Sequence, residues 1–234
     1  RKHNSGIRWN SLRLTSENPT MKSTFSILGL LSLIILVLAS FADAQDNPNI
    51  VMICVDDLND WTGFLGGHPE ALTPHMDALA KRGRNFVNAH CAVPVCSCSR
   101  ASVMSGLAAT THGSYEIGPR YEELPALRNI PTIQRYFKDN GYLTLEGGKV
   151  LHHGFGGRLA GDIDRSLGRM RSPRPRKPMN RPSDWSSAWD WGAHPATDAE
   201  MADYQLAKNA AEVLKEDFDK PFFMTVGFFR PHVP

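Results

Sequence analysis

Asn49-Ile50-Val51-Met52-Ile53-Cys54-Val55-Asp56-Asp57 is the stretch on which the fold turns. An unbroken apolar run that ends abruptly in two carboxylates suits a central strand buried on both faces, as in parallel sheets. Downstream, Thr73 and Pro74 open a helix as cap and first-turn residue, and Gly83 stops it. Arg84 to Cys91 reads as a further strand, and Ser99 to Ser105 as the opening of a helix. Pro131 to Asn140 forms an amphipathic helix with Ile133, Tyr136 and Phe137 on one face, ended by Gly141. Tyr142 to Leu145 is a short strand. Asp198 caps a long helix whose apolar face is Ala202, Leu206, Ala210, Val213 and Leu214, and Phe222 to Phe229 closes as another apolar strand. Strands alternating with helices predict an α/β sandwich around a mostly parallel sheet.

The chain has 234 residues, 41% of them hydrophobic and 21% charged, which supports an ordinary globular core. Its formal charge of +2 is unevenly placed: residues 1–44 carry five bases against two acids, and the remainder 21 bases against 22 acids. A basic, nucleic-acid-seeking domain is therefore not expected. Met21-Lys22, the apolar run from Phe25 to Ala39 and Ala42-Asp43-Ala44 make a secretory signal peptide over 21–44, not a lasting membrane anchor. This predicts a secreted or periplasmic protein that starts at Met21, with residues 1–20 a gene-model artefact or leader. Cys54, Cys91, Cys96 and Cys98 are too few for a disulfide scaffold and match no zinc spacing. Cys54 reads as a small apolar thiol in its strand.

Several segments could carry chemistry. Asp56-Asp57 lies at a strand end, where α/β folds place ligands, and paired carboxylates suit a hard cation or a solvated turn. Cys96-Ser97-Cys98-Ser99-Arg100 precedes a helix start, whose N–H groups favour an anion or nucleophile, and Arg100 adds a forked cation. Two packing thiols beside a surface arginine would read the same way. Gly147-Gly148-Lys149-Val150-Leu151-His152-His153 joins a point cation to imidazoles without being a P-loop. Phe229-Arg230-Pro231-His232 similarly sets a base and a histidine just beyond a strand. Singly, each histidine is as well read as structural as catalytic.

In this order, five segments resemble the sulfatase family of the alkaline phosphatase superfamily, and within it the iduronate-2-sulfatase type. They are Ile53 to Leu58, Cys96 to Gly106, Tyr136 to Tyr142, Gly148 to His152, and Pro221-Phe222-Phe223 through Arg230 to Pro234. The resemblance spans Asn47 to Pro234 and implies a three-layer sandwich with a mixed, mostly parallel sheet. It makes 45–234 the N-terminal part of a catalytic domain. It further implies that Cys96 is oxidised by a formylglycine-generating enzyme to an aldehyde whose hydrate attacks the sulfur of a sulfated carbohydrate. Asp56, Asp57 and the modified Cys96 resemble ligands of Ca²⁺, with Mg²⁺ the second choice, and Arg100 resembles the clamp on the hydrate. Lys149 is similar to the family's sulfate contact and His152 to the residue that holds or deprotonates the hydrate. His232 matches the histidine that protonates the leaving oxygen.

Two departures accompany this. Cys98 stands where the family motif has proline or alanine. Further ligands of the family, an Asp followed by His or Asn, and another active-site lysine would lie beyond Pro234, so the fragment is expected to be inactive. Alternatives are a phosphodiesterase or phosphonate hydrolase of the same superfamily, or a degenerate protein that only binds sulfated glycans. Between Arg158 and His194 periodicity vanishes; residues 165–181 hold seven bases and three prolines, followed by Trp185, Trp189 and Trp191. This is expected to be a solvated insertion pinned by its tryptophans rather than a glycan-binding surface.

Overall fold

The structure, a computed structural model, describes residues 47–169, 171–182 and 190–232. The signal-peptide segment, Trp185 and Trp189 lie outside the described residues. Four strands, β1 (Ile50–Val55), β2 (Leu143–Gly148), β3 (Arg165–Gly168) and β4 (Phe222–Phe228), form one sheet in the order β1-β4-β2-β3. Every pairing is parallel, with Ile50 opposite Phe223, Leu143 opposite Phe222 and Leu145 opposite Arg165.

Helices cover both faces. On one side α5 (Ala202–Val213) packs Leu206, Ala210 and Val213 against Leu145, Leu167, Phe222, Met224 and Val226. On the other lie α2 (Cys96–Ser105) and α4 (Ile133–Asp139). Between the short helix α3 (Ala109–His112) and α4 run two 3₁₀ turns, whose Tyr121, Leu124 and Leu127 join Ala101, Met104, Val150 and Leu159 in a second core. The Phe137 ring stacks on Phe223 with centroids 4.3 Å apart, fastening α4 to the sheet. The first helix, α1 (Pro74–Arg82), begins at Thr73 and ends at Gly83 as the sequence predicts, although Thr73 makes no side-chain cap bond and no α1 residue is buried.

Several expectations need correction. Residues 84–91 form a turn and irregular chain, and Phe86 and Val87 are exposed, so β propensity there finds no partner strand. β1 ends the described sheet, and its alternation leaves Val51 42% and Ile53 54% exposed rather than buried on both faces. On α4, Tyr136 points outward and Gln134 takes the buried position. Leu214 lies past the end of α5 and is exposed, and Asp198 starts a single 3₁₀ turn before α5 instead of capping it. The insertion also contains order. β3 pairs with β2, and the Asp190 carboxylate accepts backbone N–H bonds from Asn180, Met179, Arg181 and Trp191, which hold its carboxyl down to about 2. Trp191 itself is exposed.

The cap of α4 is well defined. Thr132 Oγ1 accepts from the Arg135 N–H at 3.1 Å and donates to Asp162 Oδ2 at 2.7 Å, fully buried. Thr132→Ala should therefore destabilise the chain by about 1–2 kcal/mol, read as a lowered urea midpoint, with Thr132→Ser recovering most of it.

Candidate active site

Because all four strands run the same way, their C-terminal ends share one edge of the sheet. That edge gathers Asp56 and Asp57 after β1, Lys149 after β2, and Phe229 to His232 after β4. Two glycines bring the turns together. Gly148 adopts φ +76°, and a Cβ there would lie 2.1 Å from the Gly227 carbonyl oxygen; a Cβ on Gly227 would meet the Lys149 carbonyl at the same distance. This close approach lets the Lys149 N–H donate to Gly227 O at 2.7 Å and fixes where the lysine leaves the sheet.

Asp56 is the electrostatic centre. It is buried, its Oδ1 accepts from Arg100 Nη2 at 2.8 Å, and Lys149 Nζ pairs with its Oδ2. Burial alone would raise the carboxyl pKa, but the hydrogen bonds and charges of Arg100 and Lys149 outweigh it and hold the group below the usual carboxylate range. Arg100 also donates from Nη1 to the carbonyls of Val150, at 2.8 Å, and Lys149, so one guanidinium locks β1, α2 and the turn after β2 together. The Lys149 ammonium sits 4.4 Å from the centroid of the Phe229 ring.

Cys96 opens α2, half-buried in the first turn, where helix N–H groups lack internal partners. Its Sγ lies 3.1 Å from His152 Nδ1. Burial lowers the His152 pKa, and the neighbouring Lys149 and His153 lower it further, which favours the neutral imidazole that can take a proton. Asp57 adopts φ +59°, the one non-glycine in the left-handed region among the described residues, and its Oδ2 is 3.8 Å from His232 Nε2. Every expected site residue thus falls on one edge, in three groups: Asp56 with Arg100 and Lys149, Cys96 with His152, and Asp57 with His232.

Cys98 stands apart. It is fully buried against Val93 and Ala109, accepts from Ser114 Oγ at 3.3 Å and donates to Glu116 O at 3.4 Å. Its N–H falls in the first turn of α2, where the helix offers no acceptor, so the backbone would tolerate proline there and the cysteine contributes packing. Cys54 is a half-buried free thiol whose pKa burial raises, as a packing cysteine should be. His112, which sequence reasoning overlooked, is also structural. Its Nδ1 accepts from the Ser114 N–H at 3.2 Å, so Nε2 donates to Ser102 Oγ at 2.7 Å. Also overlooked were Phe229 beneath Lys149 and Gly227 beside it; only the parallel register reveals either.

As donors, Asp56 and Asp57 are of the type a hard divalent cation takes. As a coordination sphere they do not fit one by themselves: both Asp56 oxygens are engaged by cations, and no three ligating side chains cluster among the described residues.

The sulfatase family model matches residues 48–234. The chain is similar to a sulfatase of Formosa agariphila, 34% identical over 205 residues, which cover 81% of this chain and 40% of that protein. It is also similar to mouse iduronate 2-sulfatase, 29% identical over 203 residues, covering 82% and 36% respectively. A solved structure described as a 2-O GAG sulfatase shares the fold, with a TM-score of 0.52 at 21% identity over 79% of this chain and 35% of that one. The chain therefore spans about two fifths of its curated relatives' length. The match runs through all four strands and every turn that carries a charged or nucleophilic group at the sheet edge, and on that ground this chain belongs to the sulfatase family.

Proposed function

We propose that the chain carries the nucleophile-bearing part of a secreted or periplasmic sulfuric ester hydrolase of iduronate-2-sulfatase type, acting on a sulfated carbohydrate. The observation that carries this reading is the pairing of Cys96 Sγ with His152 Nδ1 at 3.1 Å, beside the Asp56–Arg100–Lys149 cluster. Conversion of Cys96 to formylglycine by a formylglycine-generating enzyme would supply a hydrated aldehyde as nucleophile. His152, kept neutral, takes the proton from position 96. Arg100 clamps the hydrate, Lys149 offsets charge that builds on the sulfate oxygens, and His232 gives a proton to the departing alcohol. Asp56, Asp57 and residue 96 would supply part of a larger ligand set for calcium, with magnesium second, whose charge would polarise the sulfate ester.

Three measurements test this, the first of them in protein from its native host. Peptide mass spectrometry across Cys96 should find an aldehyde in place of the thiol. In the full-length protein, His152→Asn should lower aryl sulfate turnover by roughly 10²–10⁴-fold. Wild-type rate should fall on acidification only below the ordinary imidazole range, because the shift of His152 is downward. An intact thiol at 96 together with no turnover would instead favour a non-catalytic binder of sulfated glycans, the reading that Cys98 in the place of the motif proline favours. Turnover of aryl phosphate diesters in preference to sulfates would identify a phosphodiesterase or phosphonate hydrolase.

A further inference from the structure

β4 leaves its ladder at Phe228, the last of its residues to pair with β1. Beyond it the chain turns to carry His232 along the sheet edge, and the backbone N–H groups of Phe229 and Arg230 find no strand to bond among the described residues. Both are taken by one side chain from another element. The Phe229 N–H donates to the Asp203 carboxylate, 2.9 Å from Oδ1 and 3.0 Å from Oδ2, and the Arg230 N–H donates to Oδ2 at 2.7 Å. Asp203 lies in the first turn of α5, in the helical row of Leu206, Ala210 and Val213. Those three side chains are buried against the sheet, so their packing fixes where the carboxylate stands. A carboxylate accepting N–H groups makes hydrogen bonds of the stronger, charge-assisted kind.

The turn held in this way sets the spacing of two groups at the sheet edge. The His232 N–H closes it on the Phe229 carbonyl at 3.0 Å, and the Arg230 guanidinium donates to the His232 carbonyl. The centroid of the Phe229 ring is 4.4 Å from Lys149 Nζ and 5.0 Å from the centroid of the His232 ring. One aromatic ring therefore touches both the ammonium and the imidazole, and its own backbone is the part that Asp203 grips. We infer that Asp203 is a positioning residue for the reaction. By holding Phe229 and Arg230 it sets His232, which protonates the departing alcohol, at its distance from Lys149. This rests on the hydrolase reading and adds to it a residue that acts through the turn. A proton donor displaced by about 1 Å can lose on the order of 10² in rate.

Leaving-group dependence separates positioning from general damage. 4-Nitrophenyl sulfate releases a weakly basic oxygen that departs with little help, whereas 4-methylphenyl sulfate, of similar shape, releases a basic oxygen that needs the proton. In the full-length protein, Asp203→Ala should lower kcat for 4-methylphenyl sulfate about tenfold more than for 4-nitrophenyl sulfate, and His232→Ala should show the same bias. Asp203→Asn keeps the size and one acceptor oxygen. It should move the same way by a smaller factor, and it carries the test where the alanine variant folds poorly. Independently of turnover, hydrogen exchange at the Phe229 and Arg230 amides should quicken in both Asp203 variants, by about tenfold in Asp203→Ala. If His232→Ala shows the bias and neither Asp203 variant does, or if the two amides exchange as in the wild type, the positioning role is overturned and the hydrolase reading stands. If His232→Ala slows both sulfates by the same factor, His232 is not the acid, and the inference falls with that part of the reading. A wild type that turns over neither sulfate defeats the hydrolase reading itself, and the role of Asp203 with it.

Discussion

Arg100→Ala should lower the unfolding free energy by about 3–5 kcal/mol, the cost of stripping a buried charge of its partner. The guanidinium is buried and serves three acceptors: Asp56 Oδ1 and the carbonyls of Lys149 and Val150. Alanine would leave two carbonyls without a donor and Asp56 with Lys149 as its sole counter-ion. Arg100→Lys should recover only part of the loss, because an ammonium is a point charge and cannot span the three acceptors as a planar fork does. Asp56→Asn combined with Arg100→Ala should cost less than the two changes summed, since neutralising the carboxylate removes the stranded charge. Urea denaturation of the wild type and the four variants reads all of this, and a loss under about 1 kcal/mol for Arg100→Ala would show that the guanidinium does not hold the site together.

Glu146→Gln should stabilise the chain at pH 8 by up to about 3 kcal/mol, because each tenfold gain in proton affinity on folding corresponds to about 1.36 kcal/mol, and should change little at pH 4. Glu146 lies on β2 opposite Thr225, alternating with the core residue Leu145. Burial, offset only in part by the charge of Arg169, pushes its carboxyl up to about 7. A raised carboxyl binds its proton more tightly in the folded chain than in the unfolded one. Its contribution is therefore fully present below the unfolded value and is lost as pH climbs towards 7. Gln keeps the shape without the ionisation, so thermal melts of the two proteins should converge in acid and part above neutrality. Parallel curves at all pH values would show that the carboxylate is already solvated.

The alternation of apolar strands with amphipathic helices made the layer arrangement legible. Periodicity fixes which face of α5 is buried, so Leu206, Ala210 and Val213 were readable from spacing alone. The common placement of Asp56, Lys149 and His232 was legible for a different reason: each follows a strand, and parallel strands bring such residues to one edge. What could not be read were features set by distant partners. β3 is a short segment in a basic stretch, and only its pairing with β2 reveals it. Residues 84–91 have strand composition without a neighbouring strand. On α4, Tyr136 is exposed and Gln134 buried, a reversal of the apolar face that spacing does not foretell. Nor could the sequence show that Cys98 packs while its neighbour Cys96 faces a histidine; α2 alone turns one thiol inward and the other toward His152.

The four backbone bonds gathered by Asp190 bear on how the folded chain would respond to its surroundings. A clasp whose acid lets go only near pH 2 stays shut in any mildly acidic or alkaline water. The stretch it fastens, from Met179 to Arg181, would keep its form while the imidazole of His152 gains or loses a proton. Acidity would then change the charge of that imidazole without loosening the segment held by Asp190.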